Sequence, residues 1–161
     1  MKYCTGNLGR VFVVRLEHGD IVHECLESLA EKEKLEAAAV IGVGGADMDS
    51  LLVVGPEDGR RIPPVRPMTH LLHEAHEIVG TGTLFRDDTG RPLLHMHMAC
   101  GRKDRTITGC IRSGVRTWQV LEFIVIELLD CNARRMPDPL LGIKLLDPTA
   151  QGSGNRQGES E

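Results

Sequence analysis

"LLHMHMACGRKDRTITGCIRSG", residues 93–114, alternates apolar and polar side chains, breaks into a short charged run around Lys103-Asp104, and then alternates again. A period of two is the mark of a strand with one buried face, and two such runs about a short polar break predict a β-hairpin. On the first strand Leu94, Met96, Met98 and Cys100 share one face, with His95, His97, Ala99 and Gly101 on the other. The second strand is predicted over Thr106–Ser113, with Ile107 and Ile111 on one face and Thr108, Cys110 and Arg112 opposite. An even-length loop centred on Lys103-Asp104 pairs Gly101 with Thr106, Ala99 with Thr108, His97 with Cys110 and His95 with Arg112. In that register both polar faces coincide. A slip of one residue would set Cys110 against Met96 and place polar groups among the methionines.

The flanking sequence extends this hairpin into a sheet. "GRVFVVRLEHGD" (9–20) predicts a buried strand over Val11–Leu16 that ends at His18-Gly19. A helix then starts from Asp20 as N-cap. Ile21, Cys25 and Leu29, beside Val22, Leu26 and Ala30, form its apolar face, while Glu24, Glu27, Glu31, Lys32 and Lys34 form the charged one. "EAAAVIGVGGADMDSLLVVGPEDG" (36–59) divides into a strand at Ala38–Val43, a bend at Gly44-Gly45 and a strand at Met48–Val54. The glycine pair has no Lys or Ser/Thr signature and no helix after it, so it is read as turn punctuation rather than a phosphate cradle. "RRIPPVRP" (60–67) is an extended, proline-punctuated connection.

Further strands are predicted at Glu77–Phe85 and Trp118–Leu128. In the latter, Val120, Glu122, Ile124 and Ile126 face one way and Leu121, Phe123, Val125 and Glu127 the other, although its Leu, Glu and Gln content also suits a helix. "PDPLLGIKLLDP" (137–148) offers a short closing strand. The reading is one domain over residues 1–148 and a disordered tail over 149–161. Its class is α+β: a twisted, mainly antiparallel sheet with one main helix packed on it.

Composition narrows the function. The chain of 161 residues carries a formal net charge of −4 and a sequence pI near 6.0, against a uniformly basic, phosphate-neutralising surface. Five cysteines without a CxxC pair, and no apolar leader, predict reduced thiols and a cytoplasmic protein. The most apolar run, Val120–Leu129, contains Glu122 and Glu127 and is too short to span a membrane. One Trp, one Tyr and three Phe are too few for base-stacking platforms. Trp118 is read as a packing residue.

Two imidazoles and a thiol on one wall suit Zn²⁺, which takes four ligands when structural and three plus water when catalytic. His95, His97 and Cys110 are the predicted metal ligands. Glu122 is a fourth ligand or general base, with His76 and Glu77 as alternatives. The blander alternative has two hydrogen-bonded surface histidines on a half-exposed strand, with Cys110 a small buried hydrophobe. Arg112 is either an anion anchor or a surface arginine bonded to a carboxylate. His70 and His73 are read as solvated loop residues.

The order of "HGDIVHECLESLAEKEKLEAAAVIGVGGADMDSLLVV", "GTGTLFRDDTGRPLLHMHMACGR" and "TGCIRSGVRTWQVLEFIVIEL" resembles the plant and prokaryote conserved (PPC) domain over roughly residues 8–146. That resemblance implies the α+β fold and a homotrimer. In plants the domain accompanies AT-hook DNA-binding motifs, and prokaryotic members have been called DNA-binding by analogy. Here neither "RRIPPVRP" nor "GSGNRQG" holds the Arg-Gly-Arg-Pro core of an AT-hook. The fold is also similar to that of acetolactate decarboxylase, a zinc enzyme with an H-x-H ligand pair and a third histidine on the next strand. His95 and His97 match the pair. Thr108-Gly109-Cys110 stands where many PPC domains have Gly-Gly-His, so cysteine occupies the third position.

The function implied is a metal-containing, homotrimeric, regulatory or ligand-sensing protein. DNA would be met only through a partner or a patch at Arg60, Arg61 and Arg66. Two alternatives stand beside it. One is a zinc-dependent enzyme on a small anionic metabolite, with Arg112 holding the anion and Glu122 moving a proton. The other is a purely structural trimerisation module.

Overall fold

The computed structural model describes residues 1–60 and 66–150. In chain order the elements are β1 (Asn7–Glu17), α1 (Val22–Lys32), β2 (Ala37–Ala46), β3 (Leu51–Pro56), β4 (Pro67–Leu71) and β5 (His76–Arg86). After them come β6 (Pro92–Arg102), β7 (Arg105–Cys110), a 3₁₀ turn at Ile111–Ser113, β8 (Thr117–Leu129), β9 (Arg134–Asp138) and β10 (Ile143–Asp147). Eight strands make one sheet in the order β1-β8-β2-β5-β6-β7-β3-β4, and every strand pairing in it is antiparallel. The class is α+β, as the strand-after-strand pattern predicts. No helix among the described residues is long and apolar enough to cross a membrane.

One face of the sheet carries the core. Val22, Leu26 and Ala30 of α1 are fully buried in a cluster with Val40, Leu84, Leu94, Met96, Met98, Leu121, Phe123 and Val125. The charged face of the helix also contributes. The Glu27 carboxylate accepts the backbone N–H of Leu94 at 2.9 Å, covering part of the edge that β6 exposes beyond the end of β7.

The β6–β7 hairpin has the predicted register: Gly101 faces Thr106, Ala99 faces Thr108 and His97 faces Cys110. Arg102 pairs with Arg105, so Lys103-Asp104 is a two-residue loop, with Lys103 at φ 56°. The second strand is shorter than predicted. It ends at Cys110, where the chain turns so that Ile111 enters the core at 1% exposure, and Gly114 at φ 106° completes the turn. Arg112 therefore does not pair with His95.

Other expectations need correction. β1 is an edge strand rather than a buried one, with Val13 81% exposed, because only β8 pairs with it. Asp20 does not cap α1: its carboxylate accepts the Glu17 N–H at 2.9 Å, and the cap position is Ile21, without a side-chain bond. Gly44-Gly45 is not a bend between strands but a bulge inside β2. There the β8 partner jumps from Leu121 to Trp118, and a Cβ on Gly45 would meet the Trp118 carbonyl at 2.6 Å. Trp118 packs against this glycine, a packing role as predicted.

β8 is a strand and not a helix, since β1 and β2 flank it on both sides. His70 lies on β4, a strand the loop reading missed. The C-terminal apolar run does not close the sheet; β9 and β10 form a separate two-stranded ribbon. Arg61 and residues 151–161 of the predicted tail lie outside the described residues.

Candidate metal centre

Register alone carries His95, His97 and Cys110 to one place. His97 and Cys110 are directly paired across β6 and β7, and His95 is two residues along on the same face. One ligand atom from each residue lies within 4.8 Å of the others. The Nε2 atoms of His95 and His97 stand 3.2 Å apart, their rings edge to face at 74°. Two nitrogens bound at tetrahedral zinc through ~2.05 Å bonds are separated by about 3.3 Å. The pair thus already has the spacing of two ligands on one ion, and the Cys110 sulfur lies within 4.8 Å of a ring nitrogen of each.

The electrostatics suit ligation by neutral imidazole. Burial is the main influence on His95, followed by the charges of Arg135, His97 and Arg112; together they hold its pKa below the usual histidine value. Cys100, three residues beyond His97, makes a contrast. It faces the core, and burial pushes its thiol up to about 11, so it is a packing group rather than a thiolate at neutral pH.

The other predicted site residues do not join this cluster. Glu122 is exposed on the same face, opposite Val43, and strands β2 and β5 stand between it and β6. Three strand spacings of ~4.8 Å put it about 14 Å from the His97 strand, out of reach of an ion there. The buried carboxylate of β8 is instead Glu127, at 7% exposure, which accepts from Arg10 Nε at 2.8 Å and Nη2 at 3.0 Å. His76 and Glu77 begin β5, whereas Thr81 is the residue paired with His97. His76 Nδ1 bonds the Glu74 carbonyl at 2.7 Å. His73 is exposed, and His70 pairs with buried Leu52 on the core-facing register of β4.

Arg112 is exposed in the 3₁₀ turn immediately after Cys110, near enough for its charge to act on His95. Arg135 of β9 acts on His95 more strongly. Sequence reading missed it, because nothing in "ARRMPD" marks a buried arginine. It is 4% exposed, and its Nη2 donates to Thr83 Oγ1 at 3.0 Å, Thr83 being the residue paired with His95. The centre lies on an open sheet face. Two cavities, of about 570 and 550 Å³, lie elsewhere, one lined by Glu36, Arg86 and Asp147 and the other by His76, Arg102 and Trp118.

Comparison with known proteins places this architecture. The metal-containing protein AF0104 from Archaeoglobus fulgidus superposes with a TM-score of 0.77 at 20% identity, covering 90% of this chain and 98% of its own. A protein from Ralstonia eutropha JMP134, provisionally named DNA-binding, superposes with a TM-score of 0.64 at 25% identity, covering 84% and 89%. A curated relative, the bifunctional protein GlmU of Synechococcus sp. (strain JA-3-3Ab), is 28% identical over 140 residues. That match covers 86% of this chain, which spans only about a fifth (20%) of the relative's length. The Plants and Prokaryotes Conserved (PCC) domain model matches residues 3–129, most of the sheet and both strands of the metal centre, and the chain belongs to that family.

Proposed function

We propose that the chain is a cytoplasmic, metal-binding, ligand-sensing regulatory protein that works as a homotrimer, with zinc held by His95, His97 and Cys110. The observation that carries this reading is the convergence of the three donors within 4.8 Å on one sheet face. A mixed imidazole and thiolate set favours zinc over the hard cations magnesium and calcium. Three protein ligands leave one position for water or a small ligand. A metal-containing protein with the same fold agrees with this assignment.

Self-association is supported by the sheet face opposite α1, where Val11, Val13, Ile41, Val43, Val79 and Ile124 are exposed together. An apolar surface of this extent marks an interaction site. The threefold arrangement is the one the family resemblance implies. DNA association has thinner support: a provisionally named neighbour, and exposed Arg60 and Arg66 on a chain of net charge −4.

The second reading, a zinc-dependent enzyme on a small anionic metabolite, is favoured by the two arginine charges acting on His95. Arg112 would anchor the anion. The proton-moving role given to Glu122 would need a different chain to supply it.

Metal analysis of untagged protein tests the centre. One zinc per chain, with stability lost in His97→Ala, is the expected result. Absence of stoichiometric metal with unchanged stability in His97→Ala would overturn both metal readings and leave the structural module. Salt-dependent DNA binding that disappears in Arg60→Ala would restore a nucleic-acid role.

A further inference from the structure

Arg135 is a buried cation without a counter-ion. Among the described residues it forms no ion pair, and its one side-chain hydrogen bond is to the neutral Thr83 hydroxyl at 3.0 Å. Its Nε is buried with no partner at all. The guanidinium lies 6.0 Å from the centroid of Phe85. A second arginine, Arg112, stands in the 3₁₀ turn two residues beyond Cys110. Burying an unpaired charge is costly, and such groups occur where a partner or ligand completes them.

Resting on the metal reading above, we infer that Arg135, assisted by Arg112, is the anchor for a small carboxylate that binds at the metal's open coordination position. A divalent ion, one thiolate and two guanidinium groups leave the centre with a net charge of about +3, which only an anion relieves. Thr83 holds the guanidinium on the wall that carries His95, so an anion held there sits beside the ion. Carboxylate fits better than phosphate. A phosphate usually draws on several free backbone N–H groups at a helix terminus or nest, whereas here β5 and β6 are paired along their length, the N–H of Leu94 on the β6 edge beyond β7 is taken by Glu27, and the guanidinium fork is the donor on offer. Arg135 comes from β9, beyond the residues 3–129 matched by the family model, so the anchor belongs to the C-terminal ribbon of this chain.

The test uses the full chain loaded with Co²⁺, whose visible spectrum reports both the thiolate ligand and any change at the open position. Glycolate is the probe, with ethylene glycol as its uncharged counterpart and inorganic phosphate as the competing anion. The expected result is a saturable glycolate-induced spectral change, absent with ethylene glycol and weaker with phosphate. Glycolate affinity should fall by about tenfold or more in Arg135→Gln and partly recover in Arg135→Lys, with the cobalt–thiolate band unchanged. Thr83→Val, which removes the positioning hydroxyl but keeps the shape, should weaken glycolate in the same direction, and it serves if Arg135→Gln fails to fold. A cobalt–thiolate band with equal glycolate affinity in wild type and the variants, or with phosphate bound more tightly than glycolate, overturns the inference alone. No cobalt–thiolate band in any protein overturns the metal reading and the inference with it.

Discussion

Lys144 Nζ lies 2.7 Å from Asp87 Oδ2, tying the β9–β10 ribbon to the turn that follows β5. The Asp87 carboxylate, 4% exposed, also accepts from the Thr89 hydroxyl at 2.6 Å, the Thr89 N–H at 2.9 Å and the Arg91 N–H at 3.0 Å. Burial by itself would raise its pKa. The Lys144 ammonium and the Thr89 and Arg91 donors overcome that and hold it well below the usual carboxylate range. This junction positions Arg135, since Asp87 and Arg135 also form a backbone bridge.

A depressed folded-state pKa stabilises the native state above the unfolded value of about 3.9, and this contribution is lost as pH falls below it toward the folded pKa. Asp87→Ala should therefore lower stability at pH 7 by about 2 kcal/mol in urea unfolding, given the partners it strands. The difference from wild type should shrink progressively below pH 4. A constant difference down to pH 2 would show that the carboxylate charge is not what holds the ribbon.

Two cysteines on adjacent strands should respond oppositely to serine. Cys110→Ser is expected to weaken zinc by about 100-fold and to abolish the cobalt–thiolate band, with little effect on metal-free stability. Cys100→Ser, which buries a hydroxyl in the core, should cost about 1–3 kcal/mol and leave metal affinity unchanged. Equal metal affinities in the two variants would remove Cys110 from the ligand set.

Gly82 lies under the ligand strand. A Cβ there would meet the His95 carbonyl oxygen and Met96 Cβ, each at 2.6 Å, and the ladder backbone cannot yield. Gly82→Ala should destabilise by about 1–3 kcal/mol in urea unfolding and weaken metal binding by shifting His95. Wild-type values for both would show that β5 and β6 are less tightly apposed than described.

The exposed apolar face predicts self-association. Sedimentation equilibrium should give a multiple of the 17.7 kDa chain mass, threefold for the proposed trimer. Ile41→Glu with Val79→Glu should reduce it to one chain mass without changing secondary structure, because both side chains point away from the core. A wild-type protein sedimenting as a single chain would remove the assembly from the proposed function.

The β6–β7 hairpin was legible because alternation and burial constrain each other. With Met96 and Met98 inward, His97 had to face Cys110, and no tertiary information was needed. The helix face of Val22, Leu26 and Ala30 was legible for the same reason, as was the alternation in β8. What periodicity could not supply was anything set by the order of strands. Glu122 shares a face with His97, yet β2 and β5 separate them, a spacing decided only when the sheet assembles. The exposure of β1, the bulge at Gly44-Gly45 and the arrival of Arg135 beside His95 depend likewise on which strand lies next to which. Local pattern determines which way a side chain points, whereas long-range pairing determines what it meets.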